Sequence, residues 1–213
     1  MRVVVRTVSE MCVTLGVLTV LFVTYVLFWT GADAGSEMQH QIATLKKQWA
    51  EGAAHPYRDG APFALMYIPR LGSTWNKPVL EGTGTDTLKQ GLGHYGATAR
   101  LGQQGNFAVA GHRRTYGDPF KDFPRLRPGD AVVLRDATTW FTYRIDKGPY
   151  KTVPADVGVI DPVPRESGYT RSGRYLTLTT CDPEWGHSHR LIVWAKLRST
   201  QPVNAGEPEA LRR

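Results

Sequence analysis

The hydrophobic and polar positions change character three times along the chain. Residues Cys12 to Trp29 form an uncharged run of 18 residues. Coiled as a helix at 1.5 Å per residue, the run is about 27 Å long, close to the thickness of a bilayer core. Arg2 and Arg6 precede it, and Tyr25, Phe28 and Trp29 crowd its far end, as aromatic side chains do at a membrane interface. From Glu37 to Glu51, Met38, Ile42, Leu45 and Trp49 recur at spacings of four, three and four, which predicts one apolar stripe on a juxtamembrane helix. Gly52 to Gly60, with Pro56, reads as a linker. Beyond Pro62 the apolar runs become short and are bounded by Gly, Pro and Asp, the signature of strands and turns.

Within that region the pattern predicts strands at Phe63–Ile68, Lys77–Leu80 and Asn106–Gly111, a hairpin from Ala131–Arg135 and Trp140–Asp146, and short extended pieces at Val153–Pro154 and Val157–Ile160. Thr85–Gln90 suits a single helical turn capped by Thr85 or Asp86. Gly91 to Tyr95 and Pro162 to Tyr169 read as loops. A second hairpin closes the domain. Its first strand runs Arg174-Tyr-Leu-Thr-Leu-Thr-Thr-Cys181, Pro183 and Gly186 mark the turn, and its second strand opens at Arg190. Seven or eight short strands with little helix predict a mainly β fold, a closed or nearly closed barrel. The organisation follows: an N-terminal stub and transmembrane anchor over 1–31, a juxtamembrane helix and linker over 32–61, a β-barrel over 62–198, and a disordered polar tail over 199–213.

A cleaved signal peptide competes with the anchor, since Ala32-Asp33-Ala34 offers a small-x-small site. Signal-peptide cores are typically about 7–15 residues, and this run is longer, which favours an uncleaved anchor. The two N-terminal arginines favour a cytoplasmic N-terminus, a single pass and a domain outside the cell membrane.

Composition adds limits. The 213 residues allow one globular domain with appendages. The net charge of +7 is spread over scattered lysines and arginines, with no basic run, zinc-finger spacing or aromatic-basic motif, so nucleic acid is not the predicted partner. A basic surface also suits an anionic lipid headgroup or a cell-wall polymer. The two cysteines, Cys12 and Cys181, lie too far apart in any ordinary topology to form a disulfide, so Cys181 is read as a free thiol.

Cys181 ends a strand before Asp182-Pro183, where side chains emerge, and Arg190 stands opposite across the turn. His112 ends the strand Asn106–Gly111. Taken singly, each has a bland reading: a small buried hydrophobe, a hydrogen-bonded histidine and a surface arginine. Together they supply a thiol nucleophile, a proton donor for a leaving amine and a cation for an oxyanion. A free thiol with a pKa of about 8.5 is only slightly ionised near neutrality, and adjacent positive charge raises the thiolate fraction.

These residues resemble the sortases, membrane-anchored cysteine transpeptidases of Gram-positive bacteria. The resemblance is carried by Thr177-Leu178-Thr179-Thr180-Cys181, by Ala110-Gly111-His112-Arg113 and by His189-Arg190-Leu191-Ile192-Val193, and it covers about Phe63 to Leu197. Gly105 to Arg113, Tyr116-Gly117-Asp118-Pro119-Phe120 and Cys181-Asp182-Pro183 look most like class E of high-GC bacteria. The resemblance implies a sortase-like β-barrel with His112, Cys181 and Arg190 as catalytic residues, and Tyr95 and Thr180 as substrate-binding residues. It implies cleavage of an LAxTG- or LPxTG-type sorting signal between Thr and Gly through an acyl-enzyme at Cys181. The partners implied are secreted proteins bearing that C-terminal signal and an amine of a peptidoglycan precursor or stem peptide. It implies no cofactor and no metal.

Three other readings stay open on the residues alone. One is an anchored cysteine hydrolase, although papain-type enzymes place Cys before His. The second is a metal site from His94, His112, Cys181 and His189, for which only His187-x-His189 has a short spacing. The third is a sortase-fold binding module without catalysis.

Overall fold

The computed structural model describes residues 2–52 and 57–212 and, within 26–34, the backbone alone. Eight strands close into one barrel: β1 (Pro62–Tyr67), β2 (Asn76–Glu81), β3 (Leu92–His94), β4 (Gly105–Ala110), β5 (Ala131–Arg135), β6 (Thr139–Thr152), β7 (Arg174–Asp182) and β8 (His189–Pro202). Their order around the barrel is β1-β2-β3-β4-β7-β8-β6-β5. Neighbours are antiparallel except β2–β3 and β4–β7. A parallel pair needs a crossover. For β4 and β7 the β5–β6 hairpin and residues 153–173 provide it.

Side-chain alternation sorts each strand into an inner and an outer face. Phe107 and Val109 of β4, Leu176 and Leu178 of β7, and Leu191, Val193 and Ala195 of β8 all enter the barrel core. The opposite face of β7 and β8 is covered by the 3-10 turn Val157–Ile160. Val159 packs there on Ile192 and Trp194, and its carbonyl accepts the Trp194 indole N–H at 3.0 Å. The Thr177 hydroxyl on the same face donates to Asn106 Oδ1 at 2.9 Å. The outer face is therefore covered along most of its length and opens toward the C-terminal end of β7.

A helix, α1 (Arg2–Ala50), precedes the barrel, and a second, α2 (Thr85–Gln90), leads into β3. The first part of α1, Arg2–Tyr25, is long and apolar enough to cross a membrane, about 36 Å for 24 residues. The later part packs on the barrel. Ile42 and Leu45 are buried against Leu65, with Trp49 and Tyr67 beside them. The Arg135 guanidinium lies 4.6 Å from the Trp49 ring and 5.4 Å from the Trp140 ring. Gln41 Nε2 donates to Gln90 Oε1 of α2 at 2.7 Å. The apolar stripe predicted from Met38 to Trp49 thus meets the barrel wall.

Several sequence expectations are corrected. The juxtamembrane helix is continuous with the apolar run: the stretch between them holds Gly31 and Gly35 but no proline, and glycine alone does not stop a helix. Of the expected linker, residues 53–56 lie outside the described residues. Tyr57 already belongs to the barrel unit: its ring lies 4.5 Å from that of Phe63, and its hydroxyl accepts the Leu101 N–H at 2.9 Å. The expected loop at Gly91–Tyr95 contains β3, too short for an alternation to register. A Cβ on Gly93 would stand 2.4 Å from the Gly82 carbonyl oxygen, so glycine is what lets this strand lie so close. Gly84, not Thr85 or Asp86, occupies the N-cap of α2. The expected disordered tail is ordered. Strand β8 runs on to Pro202, paired with Thr139, and Val203, Ala210 and Leu211 pack against the cluster of Ala131, Val133 and Trp140. Composition hid this, because three apolar residues among polar ones are enough to cap one patch of barrel wall.

If α1 packs as described, Leu45→Ala in the full chain in detergent micelles lowers stability by about 2–4 kcal/mol. Thermal melting followed by near-UV circular dichroism measures this, and an unchanged melting temperature would mean that the helix does not rest on the barrel in solution.

Candidate active site

The outer faces of β4, β7 and β8 bring the predicted residues together. Cys181 and Arg190 are direct partners in the antiparallel β7–β8 register. Pairs of this kind hold their Cβ atoms about 4.5–5.5 Å apart on one face. On the other side of β7, the parallel register pairs Ala110 with Thr179. Extending it by two residues sets His112 alongside Cys181, at about one inter-strand spacing. The extension is held by hydrogen bonds: Gly111 N–H donates to the Thr179 carbonyl at 3.1 Å, and the Thr180 hydroxyl donates to the Gly111 carbonyl at 2.8 Å. Cys181 therefore sits between a histidine strand and an arginine strand.

His112 is half-buried. Its Nε2 is buried without a hydrogen-bond partner among the described residues. Its ring lies 5.0 Å from that of Tyr116, at an interplanar angle of 44°. Tyr116 takes a positive φ of 52°, a costly conformation for a residue with a Cβ. Burial pushes the His112 pKa below the usual imidazole value, because desolvation disfavours the charged ring. Arg190 donates from Nη1 to the carbonyls of His187 and His189, both at 3.0 Å, which fixes its guanidinium across the β7–β8 turn.

Tyr95 follows β3 and comes to the same place. Burial raises the pKa of its phenol, and the hydrogen bond to Thr179 and the Arg190 charge oppose that rise only in part, so the hydroxyl stays protonated. Thr180 lies elsewhere. It shares the inner parity of Leu176 and Leu178, is 2% exposed, and spends its hydroxyl on Gly111. The expectation that its side chain meets the bound peptide is corrected on this ground. Thr179 is the threonine on the face of Cys181. The period-two rule applied to Thr177-Leu178-Thr179-Thr180-Cys181 would have found it.

Sequence reasoning also missed the charges behind Cys181. Arg113 Nη1 donates to the Cys181 carbonyl at 3.3 Å and to Asp182 Oδ1. Lys151 Nζ stands 2.7 Å from Asp182 Oδ2. The Lys151 and Arg113 contacts hold the Asp182 carboxyl below its usual pKa against the opposing effect of burial. Beside them, Arg114 pairs with Glu184 at 3.2 Å, and its guanidinium lies 4.5 Å from the exposed Trp185 ring. These contacts depend on residues far apart in the chain, and no local pattern announces them.

His94 and His189, weighed as metal ligands, have other settings. His94 is 1% exposed, with Nδ1 2.7 Å from Glu81 Oε2 and its ring stacked 4.6 Å from Phe107. His189 Nδ1 lies 3.0 Å from the Ser188 hydroxyl. Among the described residues, no group of three or more His, Cys, Asp or Glu side chains is arranged to hold a metal ion.

Comparison with known proteins follows the same lines. A family model described as the sortase domain matches residues 66–198, more than half of the chain. Sortase SrtE1 of Streptomyces coelicolor is 39% identical over 97% of this chain, and the chain spans 60% of that relative's length. Sortase SrtE2 of the same organism is 29% identical over 98% of this chain and 88% of its own. Among solved structures, sortase E of Streptomyces avermitilis is 79% identical, with a TM-score of 0.70, covering 73% of this chain and 100% of its own. Sortase E1 of S. coelicolor with a tripeptide in the active site is 39% identical, with a TM-score of 0.68, covering 71% of this chain and 97% of its own.

Two titrations follow. In Cys181→Ala, where no thiol couples to the ring, the His112 imidazole titrates below about 6.5 by NMR, and a midpoint at or above that value contradicts its desolvation. The depressed Asp182 carboxyl stabilises the fold above its unfolded-state pKa of about 3.9, and this contribution is lost as pH falls through the lower folded-state value. Asp182→Asn should thus flatten the acid limb of stability against pH, and an unaltered limb would contradict the ion pairs.

Proposed function

The chain belongs to the sortase family, and on that premise we propose that it is a membrane-anchored cysteine transpeptidase of class E type. The observation that carries this reading is the convergence of His112, Cys181 and Arg190 on one open face, with Cys181 on the middle of three adjacent strands.

The thiolate of Cys181, formed as His112 takes its proton, attacks the carbonyl of the threonine in an LAxTG- or LPxTG-type sorting signal. A tetrahedral oxyanion forms. Arg190 lies across the strand pair from the sulfur and donates hydrogen bonds to that oxygen. The Thr–Gly bond breaks, and the His112 imidazolium gives its proton to the departing glycine amine. Desolvation favours this step, since it makes the charged ring a stronger acid. The product is a thioester at Cys181. An amine of a peptidoglycan precursor or stem peptide then attacks it, His112 accepts the amine's proton, and Cys181 leaves as a thiolate.

Tyr95 supports the LAxTG preference. Its phenol lies near Thr179, Cys181 and Arg190, and there it fills space that a proline ring would otherwise take. Thr180 is assigned a positioning role, since its hydroxyl holds the Gly111 carbonyl next to His112. We further propose that the apolar part of α1 remains as an anchor, with its N-terminus cytoplasmic and the barrel outside. Arg2 and Arg6 support that orientation. Confinement of enzyme and membrane-held substrate to one surface raises their effective concentration.

The test uses the full chain in detergent micelles with an LAxTG peptide and an amine nucleophile, read by mass spectrometry. Wild type forms a peptide–amine product and an acyl adduct on Cys181. Cys181→Ala forms neither, and Arg190→Ala loses roughly 10²–10³-fold in kcat. Cleavage without transfer to any amine would make the protein a hydrolase, and absence of any adduct would remove the stated substrate.

A further inference from the structure

The two residues that follow the catalytic pair in the chain, Arg113 after His112 and Asp182 after Cys181, meet each other. Arg113 Nη1 reaches both the Cys181 carbonyl and the Asp182 carboxylate. The pair is largely withdrawn from solvent, with side chains 10% and 15% exposed. Water screens such a pair less than one on the open surface. The second oxygen of Asp182 is held by Lys151 on β6, two strands away from β7 across β8.

We propose that Arg113 and Asp182 are a positioning pair that ties the strand end carrying His112 to the strand end carrying Cys181 and sets the balance of charge at the thiol. The argument begins with the strands. Backbone pairing of β4 with β7 ends at Ala110 and Thr179. Beyond it the Gly111 bonds, the Arg113 contacts and, farther out, the Arg114–Glu184 pair join the two segments. Without Arg113, the relative position of imidazole and thiol would rest on Gly111 and the more exposed Arg114–Glu184 pair, and a displacement near 1 Å is costly in proton transfer. The Arg113 guanidinium spans the gap from the carbonyl of the nucleophile itself, so movement of one strand end carries the other with it.

Charge makes the second half of the argument. The titratable and charged groups around Cys181 are Tyr95 after β3, His112, Arg113, Arg114, Tyr116 and Asp118 after β4, Lys151 on β6, Asp182 at the end of β7, Glu184 and His187 in the turn, and His189 and Arg190 on β8. Arg114 is shared between Glu184 at 3.2 Å and Asp118 at 3.6 Å. Apart from that group, Arg113, Lys151 and Arg190 stand against Asp182. An unpaired carboxylate one residue from the sulfur would oppose a thiolate, and Arg113 and Lys151 cancel it. Asp182 in turn keeps Arg113 from adding a full positive charge beside the His112 ring.

The inference rests on Cys181 and His112 being the reacting pair, so the experiment reads the thiol with and without substrate. The full chain in detergent micelles is alkylated with iodoacetamide across pH in the absence of peptide, and kcat and KM are measured separately with peptide and amine. Arg113→Gln leaves Asp182 less compensated. The alkylation midpoint rises by about one pH unit, and at pH 7 the rate falls roughly tenfold. Asp182→Asn moves the midpoint down, and Arg113→Gln with Asp182→Asn returns it close to wild type. Arg113→Lys restores the charge but not the reach to both oxygens, so its midpoint stays near wild type while kcat falls and KM holds. A purely structural role would move none of these midpoints in opposite directions. Midpoints unchanged in both single variants, or kcat in Arg113→Lys equal to wild type, would overturn the proposal. Should Arg113→Gln not fold, Asp182→Asn alone decides, since its midpoint must fall. If wild type alkylates as described but forms no acyl adduct, the sorting reaction fails and the charge pair stands.

Discussion

The parallel pairing of β4 with β7 is the constraint on which the rest depends. It crosses from Gly105 to Arg174, and every residue of the site hangs from it or from the β7–β8 register beside it. Antiparallel neighbours arise readily from hairpins, but a parallel pair requires that everything between its strands be folded out of the way. Here the intervening chain forms the β5–β6 hairpin, which closes the barrel, and the 153–173 segment, which covers the outer face of β7 and β8. One topological choice thus yields both the middle position of Cys181 and the cover that excludes water from all but one end of that face.

That cover explains why the reactive groups emerge where they do. Along β7 the outer residues Thr177 and Thr179 are covered within the protein, and Thr177 donates to Asn106. Cys181 is the next residue of the same parity, and it is partly exposed. His112 is enclosed enough to have its charge disfavoured, and its Nε2 has no partner among the described residues. The site is therefore not uniformly polar. A desolvated imidazole stands on one side of the sulfur, and a guanidinium on the other is held by two backbone carbonyls. Behind the sulfur, a compensated carboxylate keeps the local charge positive.

The helix that carries the apolar run also belongs to this arrangement. Its lower turns are packed on β1 by Ile42 and Leu45 and bonded to α2 through Gln41 and Gln90. The helix is continuous as far as Ala50, so its apolar part joins the barrel without an intervening loop.

Much of this was legible before any coordinates. The strand pattern, the order of His112, Cys181 and Arg190, the apolar run and the stripe from Met38 to Trp49 all follow from periodicities of two and 3.6 and from turn residues, because local sterics and side-chain direction operate within a few residues. The same locality explains what could not be read. Strand β3 is three residues long and closes on Gly82 through the absence of a Cβ. The tail is held by a patch of β5 and β6 far away in sequence. Thr180 turns inward because Leu178 does, and Arg113 meets Asp182 only after the chain has crossed the barrel. The sequence by itself determined which chemical groups are present and on which strands they ride. The tertiary structure alone decided which face each one shares and how its charge is compensated, because burial and ion pairing arise from contacts between residues that the chain keeps apart.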